Sequence, residues 1–204
     1  MFIMAFLLSY TRKEIDSVFY DARLAFSLHL AVSKDGKNFV ALNHNSGVLF
    51  AKASENDDGS LNPKTLGFPI ILSTKDLQDL EIVCFDSDKT LPSSKIKIET
   101  TYAVAAVLLG PDGQDFQKSK SAVLFLTDDF VHFSEAKKIS FDDYEKIKKN
   151  AFSQMEKLTF LNSENGKYKV EHLEKVVSGI EGALPCNVIQ ISEKKYEYLC
   201  KKLG

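Results

Sequence analysis

Two stretches of this chain carry the same arrangement of side chains: an apolar run, a hydroxyl residue, an Asp two positions later and an aromatic four beyond that. Residues 28–42 hold Ser33, Asp35 and Phe39, and residues 122–136 hold Thr127, Asp129 and Phe133. Asp and Ser side chains accept backbone N–H groups in tight turns, and Gly36 supplies a positive φ, so Asp35, Gly36 and Asp129 are accounted for as turn residues without any catalytic role. Asp86 and Asp88 follow an apolar run and are the candidate acid–base residues. Glycosidic hydrolysis takes two carboxylates on opposite sides of one sugar, and sequence spacing does not give their separation. The cluster Asn43, His44 and Asn45 lies between two apolar runs and offers the donors and acceptors that sugar hydroxyls require. The same three residues also suit a turn.

Other chemistries lack their residues. His29, His44, His132 and His172 are far apart, with no pair at the spacing of a helical zinc site. Cys84, Cys186 and Cys200 are too few and too scattered for a zinc ribbon or a disulfide framework, so no metal is expected. There is no Gly-x-Gly-x-x-Gly, no phosphate-loop lysine and no Gly-x-Ser-x-Gly elbow, so no cofactor is expected either. The 26 basic and 28 acidic residues leave a net charge of −2, without the dense basic surface that nucleic acid or an anionic membrane would need. The apolar opening, residues 2–8, lacks a basic flank and a small-residue cleavage site, and it reads as a buried strand rather than a signal peptide. With an odd number of cysteines, this points to a cytoplasmic location.

The elements that must position these residues are mostly strands. Both repeats read as β-hairpins, residues 48–53 as a further strand, and residues 55–64 as a surface loop. Runs 69–72 and 80–85 predict two buried strands with a connector at 73–79. Residues 95–101 alternate as a half-exposed strand, and 102–109 continue as a fully apolar one. After residue 140 the period changes. Ser140 with Asp143 predicts a capped helix whose stripe is Tyr144, Ile147, Ala151, Met155 and Leu158. Leu184-Pro185 interrupts the tail, 188–191 reads as a strand, and Ser192 caps a last helix with Tyr196 and Leu199 inward. The expected fold is mainly β, with propeller-like blades over 1–140 and a helical, mixed tail over 141–204 leading toward a following domain.

The run from Ser27 through Ser33-Lys34-Asp35-Gly36 to Phe39, Leu42-Asn43 and Gly47-Val48-Leu49-Phe50 resembles the opening blade of the family 43 glycoside hydrolases. Residues 124–133 resemble their later hairpins. The resemblance implies a partial five-bladed β-propeller, the N-terminal portion of an arabinofuranosidase- or xylosidase-type protein, with a glycan as partner. In that family an Arg-Asp-Pro triplet opens an inner strand and its Asp is the general base. The corresponding stretch here is Gly67-Phe68-Pro69, with no carboxylate. The resemblance therefore implies a segment that is not catalytic in isolation, or a non-catalytic module that binds carbohydrate or docks another domain. Too few blades to close a ring would leave strand edges and the helix stripe to be covered, within the chain or in a homodimer.

Overall fold

The computed structural model describes residues 4–13, 22–82, 101–111, 113, 120–158 and 170–204. The fold is mainly β. One four-stranded antiparallel sheet is built from β1 (Met4–Arg12), β2 (His29–Ser33), β3 (Val40–Ala41) and the late strand β10 (Ala183–Ser192), in the order β10-β1-β2-β3. Between β3 and the second sheet, β4 (Ser54–Glu55) and β5 (Leu61–Asn62) form a small hairpin that takes up most of the stretch 55–64 expected to be a loop and begins one residue before it. The second sheet has the order β6-β7-β8-β9, from β6 (Thr65–Ser73), β7 (Tyr102–Leu109), β8 (Ala122–Thr127) and β9 (Lys137–Ile139). Both sheets are open, and no ring of blades forms among the described residues.

The sheets pack face to face; α2 (Thr74–Asp79), α3 (Phe141–Met155) and α4 (Val170–Val176) cover their outer faces, and α5 (Glu193–Leu203) packs against the central core between them. Leu7, Leu30 and Val32 of the first sheet meet Ile71, Val104 and Phe125 of the second in the central core. Alternate residues of β7 divide between the two faces of the sheet. Tyr102, Val104 and Ala106 point into this core, whereas Ala103, Ala105 and Val107 point outward beneath α3 (Phe141–Met155). Burial on both faces explains why 102–109 is apolar without interruption. On the first sheet, Leu8, Tyr10 and Ala31 lie under Met155, Leu158, Leu173 and Val177, from α3, the turn after it, α4 (Val170–Val176) and the residue following α4.

The α3 helix lies where its spacing predicts. Ser140 Oγ accepts the Asp143 N–H, and Tyr144, Ile147, Ala151 and Met155 are buried within the same chain. The last helix, α5 (Glu193–Leu203), is capped by Ser192, with Leu199 fully buried. Elsewhere the elements differ from expectation. Residues 48–53 hold one isolated bridge, Leu28 to Leu49, instead of a strand. The connector 73–79 is a helix, α2 (Thr74–Asp79), closed by a Ser73–Asp76 capping box, and Leu80 and Glu81 form the turn after it. Residues 83–85 of the second expected strand, and most of 95–101, lie outside the described residues. Pro185 does not interrupt β10: the strand is at the sheet edge, and Pro185 pairs with Tyr10 next to the register shift between Ser9 and Tyr10. Edge strands and bulges are the places in a sheet that accommodate proline.

Asn187 of β10 joins the two sheets. Its side-chain Oδ1 accepts the Ile71 N–H at 2.9 Å and the Ser9 hydroxyl at 2.7 Å, and its Nδ2 donates to the Ile71 carbonyl at 2.7 Å. A buried amide thus offers β6 the donor and acceptor that a neighbouring strand would offer.

Candidate functional site

Both repeats meet the first turns of α5: Lys34 lies 3.8 Å from Glu193 and 5.2 Å from the Tyr196 ring centre, and Lys195 donates to the Asp128 carbonyl, so the two turns share one end of the molecule. Ser33 ends β2 opposite Phe6 of β1, and Thr127 ends β8 opposite Tyr102 of β7. The two turns are built alike, residue for residue. Ser33 Oγ accepts the N–H of Asp35 and Gly36, and Thr127 Oγ1 accepts the N–H of Asp129 and Phe130. Asp35 accepts the N–H of Lys37 and Asn38, and Asp129 accepts those of Val131 and His132. The second carboxylate oxygen takes the Asn38 amide in one turn and His132 Nδ1 in the other, each at 2.7 Å. The position after each Asp has a left-handed backbone, with φ of 72° at Gly36 and 60° at Phe130. Phe130 holds that conformation while its ring, fully buried, packs 5.0 Å from Tyr102.

The surroundings of the two Asp residues differ. The exposed Asp35 carboxyl is held well below the usual carboxylate range by the Asn38 and Lys37 N–H groups, with side-chain bonds from Asn38 and Ser33. Burial pushes the Asp129 carboxyl up, but hydrogen bonds from the His132 ring and from the His132 and Val131 N–H groups outweigh it, and the net shift is downward. The α5 helix closes over this second turn. Lys195 Nζ donates to the Asp128 carbonyl and lies 5.4 Å from the Tyr102 ring centre, and Tyr198 OH points at Asp129 Oδ2 from 3.5 Å. Burial lowers the Lys195 amine to about 8 despite the nearby Asp128 and Asp129.

Next to the second turn is a cavity of about 480 Å³. Its polar lining is Ser73, Asp76, Gln154, Lys157 and Gln190, with Tyr102 beside them. Asp76 Oδ1 accepts from Gln154 Nε2 at 2.9 Å, and its Oδ2 accepts the Ser73 hydroxyl at 2.5 Å. Asp76 is the only carboxylate lining this cavity among the described residues. The Ser-x-x-Asp pattern at 73–76 marks Asp76 in the sequence as a cap residue. Gln154, Gln190 and Lys195 carry no sequence signal, since each comes to this end only through sheet and helix packing.

The remaining sequence candidates are elsewhere. Asn43, His44 and Asn45 sit at the opposite end, beside the last residues of β1, and all three have positive φ, 51°, 52° and 59°. Asn43 Nδ2 donates to the Gly47 carbonyl, and Asn45 accepts from Tyr10 OH and donates to the Glu181 carbonyl. His44 is exposed. Asp86 and Asp88 lie outside the described residues. Phe68 is in the bulge of β6, with φ of 46°, edge-on to Phe152 and with the Lys148 amine 5.4 Å from its ring centre. The Tyr144 hydroxyl donates to the Phe68 carbonyl at 2.9 Å. This is the outer face, beneath α3.

No group of metal-ligating side chains occurs among the described residues. None of their helices is long and apolar enough to cross a membrane. Comparison of the chain with protein-family models, with curated proteins and with solved structures finds no match.

Proposed function

We propose that the two sheets are neighbouring blades of the β-propeller type, and that their shared end is a non-catalytic binding site for arabinose- or xylose-containing glycans. The blade interpretation is supported by two four-stranded antiparallel sheets stacked face to face, each with the same hydroxyl–Asp turn at the same end. The observation that carries the binding interpretation is the cavity beside that end, where Asp76, Gln154, Gln190 and Lys157 gather hydrogen-bonding groups next to Tyr102. Sugar hydroxyls are bound by a few convergent polar groups of this kind. A single carboxylate among the described lining residues favours binding over hydrolysis, which in this chemistry takes a pair.

Calorimetric titration of the full chain with arabino- and xylo-oligosaccharides tests this. Saturable binding should weaken about fivefold or more in a Gln154→Ala, Gln190→Ala double variant that melts like the parent, and aryl arabinofuranosides should show no turnover. No heat from either oligosaccharide series would refute the proposal, as would hydrolysis that Asp76→Asn abolishes.

A further inference from the structure

Away from the turn end, where β7 finishes and β8 begins, a cleft of about 510 Å³ lies between the second sheet and the chain leading into β6. Its volume is that of a small-molecule site, which spans roughly 300–1,000 Å³. Leu108, Val123 and Phe125 contribute an apolar floor that continues from the central core. Three lysines line it: Lys52 from the segment before β4, Lys64 from the residue before β6, and Lys138 from β9. No carboxylate lines it among the described residues. Positive charge concentrated this way in a chain of net charge −2 is a local field and not a property of the composition.

A second lysine-rich surface contrasts with it. On the exposed face of α3, Lys146 pairs with Asp143 at 3.1 Å and Lys148 with Glu145 at 3.6 Å, so charge is balanced in place. No such pair is formed by Lys52, Lys64 or Lys138 among the described residues. Three like charges around an apolar floor repel one another, and an anion in the opening relieves that repulsion. The floor in turn selects what the anion is attached to, because covering it with a polar group would desolvate that group without a partner.

We propose that this cleft binds an amphipathic carboxylate, an unbranched hydrocarbon chain lying on Leu108, Val123 and Phe125 with its carboxylate among Lys52, Lys64 and Lys138. Chain and head group are both required. The hydrocarbon supplies affinity by area removed from water, and the lysines supply orientation and the preference for a negative head. The cleft is separate from the glycan site, which is at the other end of the sheets.

The full chain titrated with decanoate below its micelle concentration, followed by calorimetry and by amide shifts, tests the proposal. Decanol and decyltrimethylammonium serve as probes of the same chain length with a neutral and a cationic head. Decanoate should bind one to one, at least tenfold more tightly than either control. Lys64→Gln with Lys138→Gln should remove about tenfold of that affinity and leave decanol binding unchanged. Ala136→Trp, at an exposed cleft-lining position, should block decanoate while the melting temperature stays at the parent value. Equal binding of the three probes would overturn the inference, and so would undiminished decanoate binding in either variant.

Discussion

Replacing Asn187 by Ala should weaken the protein by about 4 kcal/mol. The side chain is fully buried, and it bonds both the N–H and the C=O of Ile71 on the side of β6 away from β7. Truncation orphans one backbone donor and one backbone acceptor, each costing roughly 1–3 kcal/mol when no partner replaces the lost one. The Ser9 hydroxyl keeps the Asn187 carbonyl at 3.3 Å, so its loss is small by comparison. A domain of this size has on the order of 5–15 kcal/mol in total, so the variant would retain a fold with much reduced reserve. Urea unfolding at neutral pH gives the difference from the midpoint, provided the slope stays constant. Asn187→Leu separates the causes: it fills the volume without hydrogen bonding, so a loss equal to that of the Ala variant assigns the effect to the orphaned peptide groups. The Ile71 amide should also exchange faster with solvent in both variants. If both lie within about 1 kcal/mol of the parent, the side chain is not what joins the sheets, since even one orphaned group costs about that much.

Two further outcomes follow from the turns and from the buried histidine. Asp129→Ala should cost about 3 kcal/mol, because two backbone N–H groups lose a buried acceptor, whereas Asp35→Ala, in the exposed copy, should cost clearly less in the same denaturation assay. Equal losses would remove burial as the difference between the two copies. Burial lowers His29 to about 4, against an opposing hydrogen bond to the Ser27 carbonyl and with a smaller lowering by Arg12. Between pH 6.5 and 4 the unfolded chain therefore binds a proton at this residue that the folded chain does not. Stability is lost as pH falls through that window, with a slope of up to about 1.4 kcal/mol per pH unit. His29→Gln should flatten the profile there, and an unchanged profile would refute the assignment.

How far the chain could be understood in one dimension depends on the range of the interactions involved. Ser33 with Asp35 and Thr127 with Asp129 are contacts two residues apart, so spacing alone reveals both turns, although the use of Phe130 where the first copy has Gly36 follows from the aromatic pocket formed by Tyr102. The α3 helix was legible for the same reason, its cap lying three residues from its partner and its stripe repeating every three to four. The helical form of the connector 73–79 is not legible because two turns carry too few apolar positions to show a period, and 48–53 departs from the expected strand because its apolar run finds no strand partner beyond one bridge. The candidate site was largely illegible. Gln154 and Asp76 are 78 residues apart, Lys195 and Asp128 are 67 apart, and Asn187 and Ile71 are 116 apart. None of these pairs has a local signature, because a polar side chain in a helix or strand looks the same in sequence whether it faces solvent or a partner across the core. The sequence determined which segments turn, cap and alternate, through forces acting within a few residues. Only the stacking of the two sheets decided which polar groups would share one end, because α3 packs on the outer face of the second sheet and α5 against the core between the sheets, and this sets the place of every side chain they carry.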